Sequence, residues 1–312
     1  MSTDVQAQDR PATSGPEIDV EDPARYAWLT EIRLHHPEEI ERAARVRAGF
    51  RGLAPGEQIF IIAADHTARG ASSVGRQVGV MADRRGLLDR LRTALANPRC
   101  RGVLASPEIL DDLLLLGALD GKLVIGSINR AGIAGASFEV EDRRTGHTAE
   151  GIEAKRFDGA KSLNRICLQD PATPAQLETA ARWVDELAGR RLIAMLEPFM
   201  ASWQNGKLVS HWDPDSEIAA IQIASALGSS SAYTWLKVPC VPEMERVMAA
   251  TTLPAVLLGG DNGEDPETLL EDWGAALAVP GVVGLTVGRR LLYPENGDVA
   301  GAVDEAVGLL RR

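Results

Sequence analysis

From residue 58 onward the chain alternates without a break between short apolar runs and amphipathic stretches, and this alternation constrains the fold more than any other feature. Gln58-Ile59-Phe60-Ile61-Ile62-Ala63-Ala64 reads as a buried strand, and residues 81–96 after it carry helical periodicity. The same pairing recurs at 102–105 with 107–119. It recurs at 123–126, followed by a long glycine-rich connection through His147 and a short helix near 149–154. It continues at 159–168 with 174–189, 192–196 with 214–227, 232–237 with 241–250, 255–258 with 266–278, and 282–287 with 299–310. Near-continuous apolar strands covered by helices indicate a parallel sheet. Eight such units in about 250 residues predict an α/β chain folded as a (βα)8 TIM barrel. The competing doubly wound sheet usually carries a glycine fingerprint after its first strand. This strand ends instead in Asp65-His66-Thr67-Ala68-Arg69-Gly70.

Ahead of the barrel, residues 1–22 are polar with almost no apolar content and are expected to form a disordered arm. Residues 23–57 hold helical stretches at 25–33 and 37–50, an N-terminal extension placed to cap the bottom of a barrel spanning 58–312. The net charge of −11 and the lack of a basic run argue against nucleic acid as a partner. No stretch reaches about 18 uninterrupted apolar residues, so no membrane span is expected. Three widely spaced cysteines, Cys100, Cys167 and Cys240, suggest reduced thiols and a cytoplasmic protein. His66, His147 and His211 lack metal-ligand spacing, so no metal is expected.

Lysine is scarce: Lys122, Lys155, Lys161, Lys207 and Lys237 are all of them. Two of the five fall inside expected strands. Lys237 ends the apolar run Ala232-Tyr233-Thr234-Trp235-Leu236, and Lys161 sits early in the fourth strand. A strand-end lysine can simply reach solvent. Strands four and six share parity, however, and alternate strands fill the same interior layer. The two amines can therefore meet inside the barrel. Burial and a neighbouring ammonium both favour the neutral amine of Lys237, and a neutral amine in a dry pocket attacks carbonyls.

The other strand ends supply the remaining chemistry, because barrel active sites lie at the C-terminal ends of the strands. Asp65 ends strand one, where a carboxylate can relay a proton or cap the next segment. Asn129 ends strand three, and Arg165 lies beyond Lys161 on strand four; both are candidates for binding substrate oxygens. Glu197 ends strand five beside the expected amines, fit for proton transfer. Gly259-Gly260 and Gly288-Arg289 end strands seven and eight, where barrels of this type often bind phosphate. Glycines let backbone N–H groups approach an anion, and an arginine can clamp it with two hydrogen bonds.

Taken together, these strand ends resemble the class I, Schiff-base aldolases of the (βα)8 superfamily. The motifs are Ala63-Ala64-Asp65-His66, Asp158-Gly159-Ala160-Lys161, Leu196-Glu197-Pro198, Trp235-Leu236-Lys237-Val238, Leu258-Gly259-Gly260 and Val287-Gly288-Arg289. They are most similar to those of the bacterial tagatose-bisphosphate and sulfofructose-phosphate aldolases. The likeness runs from about residue 60 to 310, and the chain also looks like barrel proteins encoded with bacterial inositol-breakdown enzymes. The resemblance implies a lyase that needs no cofactor beyond a covalent lysine imine. Its expected substrate is a phosphorylated ketose or a keto-sugar acid phosphate such as 5-dehydro-2-deoxygluconate 6-phosphate, cleaved to dihydroxyacetone phosphate and an aldehyde. Further copies of the same chain are the other expected partner. A phosphosugar isomerase or epimerase, an acyl-transferring barrel and a non-catalytic sugar-phosphate-binding barrel are the competing readings.

Overall fold

The computed structural model describes residue 19 and residues 21–129, 133, 136–259 and 266–311. The arm expected over 1–22 lies almost wholly outside them. Two helices come first, α1 (Ala27–His35) and α2 (Glu38–Val46). The barrel opens with β1 (Ile59–Ala64), then α3 (Arg84–Ala96), β2 (Cys100–Ala105), α4 (Pro107–Leu115), β3 (Leu123–Ser127), α5 (Ala149–Ala154) and β4 (Gly159–Ile166). It continues with α6 (Thr173–Ala188), β5 (Ile193–Gln204), β6 (Lys207–Ser210), α7 (Pro214–Ser225), β7 (Thr234–Pro239), α8 (Met244–Met248) and β8 (Ala255–Leu258). It closes with α9 (Pro266–Leu277), β9 (Val282–Val287), α10 (Arg289–Leu292) and α11 (Val299–Gly308).

The strands pair in the order β4-β3-β2-β1-β9-β8-β7-β5, and β4 also pairs with β5, so the ring shuts on itself. All eight of those ladders are parallel. This is the expected (βα)8 barrel with a helical part ahead of it. The alternation along β1 shows why its apolar run is almost unbroken. Phe60, Ile62 and Ala64 pack under the helices, whereas Ile59, Ile61 and Ala63 point into the barrel. Buried on both faces, such a strand has no polar side to display. Phe50 and Leu53, from the segment after α2, pack against the interior cluster and plug the bottom of the ring.

Three local expectations shift. The helix expected at 81–96 starts at Arg84, because Asp83 caps it by accepting from the N–H groups of Arg85 and Gly86. The helix at 241–250 shortens to α8. The strand expected at 192–196 runs on through Pro198 to Gln204 and turns back as the antiparallel β6. Asn205 and Gly206 make that turn with φ of 50° and 76°. Positive φ at both residues is what a two-residue hairpin of this hand requires. The hairpin gives one side of the barrel a taller wall than the rest.

Candidate active site

Three of the four expected catalytic side chains are placed by strand parity. Lys161, Leu163 and Arg165 of β4 lie in register with Met195, Glu197 and Phe199 of β5 and point inward with them. Met195 is also level with Trp235 of β7, which puts Lys237 at the height of Glu197. Asp65 follows the last residue of β1. The side chains of Asp65, Lys161, Glu197 and Lys237 are all at most 8% exposed.

They form one chain of contacts. Lys161 Nζ lies 2.7 Å from Asp65 Oδ2 and 2.8 Å from Glu197 Oε2. Lys237 Nζ donates to Glu197 Oε1 at 2.5 Å. The two amines thus grip the two oxygens of a single carboxylate, with Asp65 on the far side of Lys161. Ser127 Oγ donates to Asp65 Oδ2 at 3.4 Å.

The two lysines differ in what surrounds them, and their basicities part accordingly. Burial works against charge on Lys161, but Asp65 and Glu197 overcome it and hold its pKa above the ordinary lysine value. Lys237 has Glu197 alone in direct contact. Burial, with the Lys161 charge acting in the same sense, lowers its pKa despite the opposing pull of Glu197. Burial would raise the pKa of Glu197, yet Lys161 and Lys237 bring it down to about 2. Asp65 behaves alike: Lys161 and then Arg69 overcome its burial and hold it well below the usual range. The two carboxylates therefore stay ionised, with Lys161 the largest source of countercharge for both.

Above this layer a cavity of about 300 Å³ opens at the C-terminal ends of the strands, with Lys237 and Glu197 in its wall. Gly259, Gly288 and Arg289 line it on the β8–β9 side, and Arg165 lines it on the β4 side. Gly260 lies outside the described residues. Gly259 and Gly288 are demanded by packing as well as by any ligand: a Cβ on Gly259 would strike Val287, and one on Gly288 would strike the carbonyl oxygen of Ala63. Asn129 is placed elsewhere. Its amide donates to Ser162 Oγ at 3.1 Å and to the Leu163 carbonyl at 2.8 Å, and its Oδ1 accepts from the Leu163 N–H at 3.0 Å. It thus ties the β3 end to β4 and lines a small crevice against α6 rather than the mouth.

The sequence reading left several mouth residues unassigned. Arg69 and His66 come from the single turn of 3-10 helix after β1 (His66–Arg69). Burial holds the His66 imidazole well below its ordinary pKa, so it is neutral. Phe199 and Trp212 pack at a tilt of 51° with ring centroids 5.2 Å apart and, with Ser210, come from the β5–β6 hairpin and the residues after it. The Asn205-Gly206 pair was the available signal for that hairpin.

A closed parallel barrel with two inward lysines sharing one carboxylate beneath an open mouth is the class that fold and geometry define. The family model that matches is Cgl0159-like, over residues 57–307, and the chain belongs to that family. It is 47% identical to Cgl0159 from Corynebacterium glutamicum, with a TM-score of 0.89, covering 93% of this chain and 97% of that one. An archaeal fructose 1,6-bisphosphate aldolase shares the fold at 16% identity and a TM-score of 0.62, over 87% of this chain and 98% of that one. A Schiff-base-forming fructose-1,6-bisphosphate aldolase does so at 18% identity and a TM-score of 0.61, over 87% and 100%. No curated protein matches the chain. Among the described residues no helix is long and apolar enough to cross a membrane.

Proposed function

We propose that the protein is a class I aldolase that cleaves a phosphorylated ketose, or a keto-sugar acid phosphate, through an imine on Lys237. The observation that carries this reading is the unequal pair of lysines on Glu197. One amine is held charged by two carboxylates, and the other is buried at the cavity wall with a lowered pKa. A lowered pKa makes the neutral form of such an amine easier to reach, and that form is a carbonyl nucleophile.

In this mechanism Lys237 Nζ attacks the substrate ketone, and a proton moves from nitrogen to the carbonyl oxygen to give a carbinolamine. Glu197, bonded to the attacking amine, relays protons during this step. The carbinolamine hydroxyl then takes a proton from solvent through the Glu197 relay and leaves as water, and the nitrogen, keeping its remaining hydrogen, becomes a protonated imine. A carboxylate, Glu197 directly or Asp65 through a water, then takes the proton of the hydroxyl two carbons from the imine carbon. The carbon–carbon bond between them breaks and its electrons flow into the iminium. The aldehyde leaves, the enamine takes a proton at carbon, and water releases the ketone from Lys237. Lys161 keeps its proton throughout and stabilises negative charge on substrate oxygens. Gly259, Gly288 and Arg289, with Gly260, hold the phosphate.

Borohydride reduction with a panel of phosphorylated ketoses, followed by peptide mass spectrometry, tests the reading. An aldolase acquires a substrate-sized mass on the peptide containing Lys237, and Lys237→Met abolishes it. Turnover without any trapped adduct would move the protein to the isomerases or epimerases. Binding without turnover would make it a sugar-phosphate-binding barrel.

A further inference from the structure

The register of the ladders sorts the barrel interior into layers. Lys161 is level with Met195 and Met195 with Trp235, and the next inward residue along β7 is Lys237. Lys237 is level with Val256 and Val256 with Gly284, and the next inward residue along β9 is Thr286. The same step leads from Thr286 through Ile61 and Gly102 to Leu104 of β2, and from Leu104 through Ile125 and Gly159 back to Lys161. The tilt of the strands brings such positions to one height. Lys161, Lys237, Thr286 and Leu104 therefore make one layer, contributed by alternate strands of the ring. Within it Lys237 stands between Lys161 on one flank and Thr286 on the other.

The two flanks differ in character. Lys161 brings Asp65 and Glu197 with it. Thr286 has apolar company: its ladder partners are Leu258 on β8 and Ile61 on β1, both buried. Thr286 is 1% exposed and lines the cavity, and its hydroxyl has no hydrogen-bond partner among the described residues. A buried hydroxyl without a partner costs free energy, and valine would fill the same branched shape without that cost. Packing alone does not account for threonine here. The height of the hydroxyl limits what it can serve. It is level with Lys237, so a ligand bonded to Nζ presents to it only the atoms nearest the nitrogen. Glu197 already holds Nζ on the β5 side. The carbon that bonds Nζ carries one oxygen, and the flank left open to that oxygen is the Thr286 side.

We propose that the Thr286 hydroxyl is a catalytic group for imine formation, donating a hydrogen bond to the ketone oxygen as Lys237 attacks and to the carbinolamine oxygen that follows. The proposal rests on the aldolase reading. The new bond joins Nζ to the carbonyl carbon, and the π pair of the C=O moves onto oxygen. The proton that arrives there comes from Nζ through Glu197, so Thr286 keeps its own. A positioned donor in a water-poor pocket is most effective where charge develops, as it does on this oxygen. Hydrolysis of the imine passes through the same carbinolamine and uses the same contact.

The test follows loss of 18O to water from carbonyl-labelled dihydroxyacetone phosphate, above the uncatalysed rate and per folded enzyme, because each passage through the imine exchanges that oxygen. Thr286→Val keeps the shape and removes the donor, and should slow maximal exchange about tenfold or more. Its KM should stay within a few fold and its thermal midpoint should be no lower than that of wild type. Thr286→Ser restores the donor and should recover most of the rate. A merely structural role would leave exchange by the folded protein unchanged. Exchange by Thr286→Val at the wild-type rate, or a loss that Thr286→Ser shares in full, would overturn the proposal and leave the imine on Lys237 standing. Wild-type exchange that is absent, or that survives in Lys237→Met, would refute the aldolase reading and the proposal with it.

Discussion

Below Lys161 the barrel interior is filled by Ile59, Ile61, Leu104, Leu123, Ile125 and their apolar neighbours, with Phe50 and Leu53 closing the bottom. One layer higher the same ring holds two carboxylates and two amines at almost the same degree of burial. The lower layer follows from hydrophobic burial alone, since apolar side chains there need no partners. The upper layer does not. Desolvating four ionisable groups costs as much as their mutual attraction returns, or more, so a buried ionic cluster is weak evidence for stability. The comparison separates the part of the interior that holds the barrel together from the part to which the proposed function assigns the chemistry.

Exchanging the roles of the two layers is the strongest way to break this comparison. Lys237→Met should lower kcat/KM by about a thousandfold or more while thermal unfolding stays near wild type, because Glu197 keeps Lys161 as its partner. Ile61→Ala in the lower layer should do the opposite. Removing that fully buried side chain should cost about 2–5 kcal/mol in denaturant unfolding and leave kcat within a few fold. A Lys237→Met protein that unfolds as easily as Ile61→Ala would erase the distinction.

Acid stability sharpens it next. Glu197 titrates near 2 in the folded chain against 4.5 for an unperturbed glutamate. A depressed carboxylate contributes stability that is fully present above the unfolded value and is lost as pH falls through the folded one. The contribution from this group is about 3 kcal/mol. Unfolding free energy should therefore fall between pH 4.5 and 2, and that slope should shrink in Glu197→Gln.

Glu217 of α7 offers a buried carboxyl with the reverse sign. Burial, with repulsion from Asp213 and then Glu197, pushes it up to about 8, and neither of its oxygens has a hydrogen-bond partner among the described residues. A raised carboxyl favours folding below its unfolded pKa, and that advantage is lost as pH climbs through the folded value. Glu217→Gln should thus be more stable than wild type at pH 8, by about 1–3 kcal/mol in denaturant unfolding, with the gap closing in acid.

The smallest expected effect separates the two amines. The proposed mechanism needs the neutral Lys237, so it predicts that kcat/KM rises with pH through its folded pKa, which lies below 10.5. Removing the Lys161 charge takes away one of the influences that lower this pKa. In Lys161→Met the acid limb should move to higher pH by about one unit, read as a pH–rate profile on the folded protein.

The fold and the ionisable layer were legible for one reason: strands have a period of two, and parity alone decides which side chains meet inside a ring. Lys161, Glu197 and Lys237 could be placed together on that basis. The misplacement of Asn129 marks its limit. Beyond Ser127 the chain leaves the sheet, parity lapses, and the Asn129 side chain turns outward to Ser162 and Leu163. Arg69 was unreadable for the same reason, since the turn after β1 follows no strand period. The β5–β6 hairpin is a different case. Pro198 reads as a strand stop, yet it sits within β5, and the Asn205-Gly206 turn that closes the hairpin was plain in the sequence.

The central claim is that Lys237 gives up its proton more readily than Lys161 although both sit on the same carboxylate. With five lysines in the chain, Cε chemical shifts in protein labelled with 13C-lysine can be followed individually against pH. The account predicts that the signal missing in Lys237→Met has the neutral-amine shift well below pH 10.5, while the signal missing in Lys161→Met still reports an ammonium there. If instead all five titrate together at the ordinary lysine value, or Lys161 is the one that loses its proton first, the assignment of nucleophile and charged partner is contradicted.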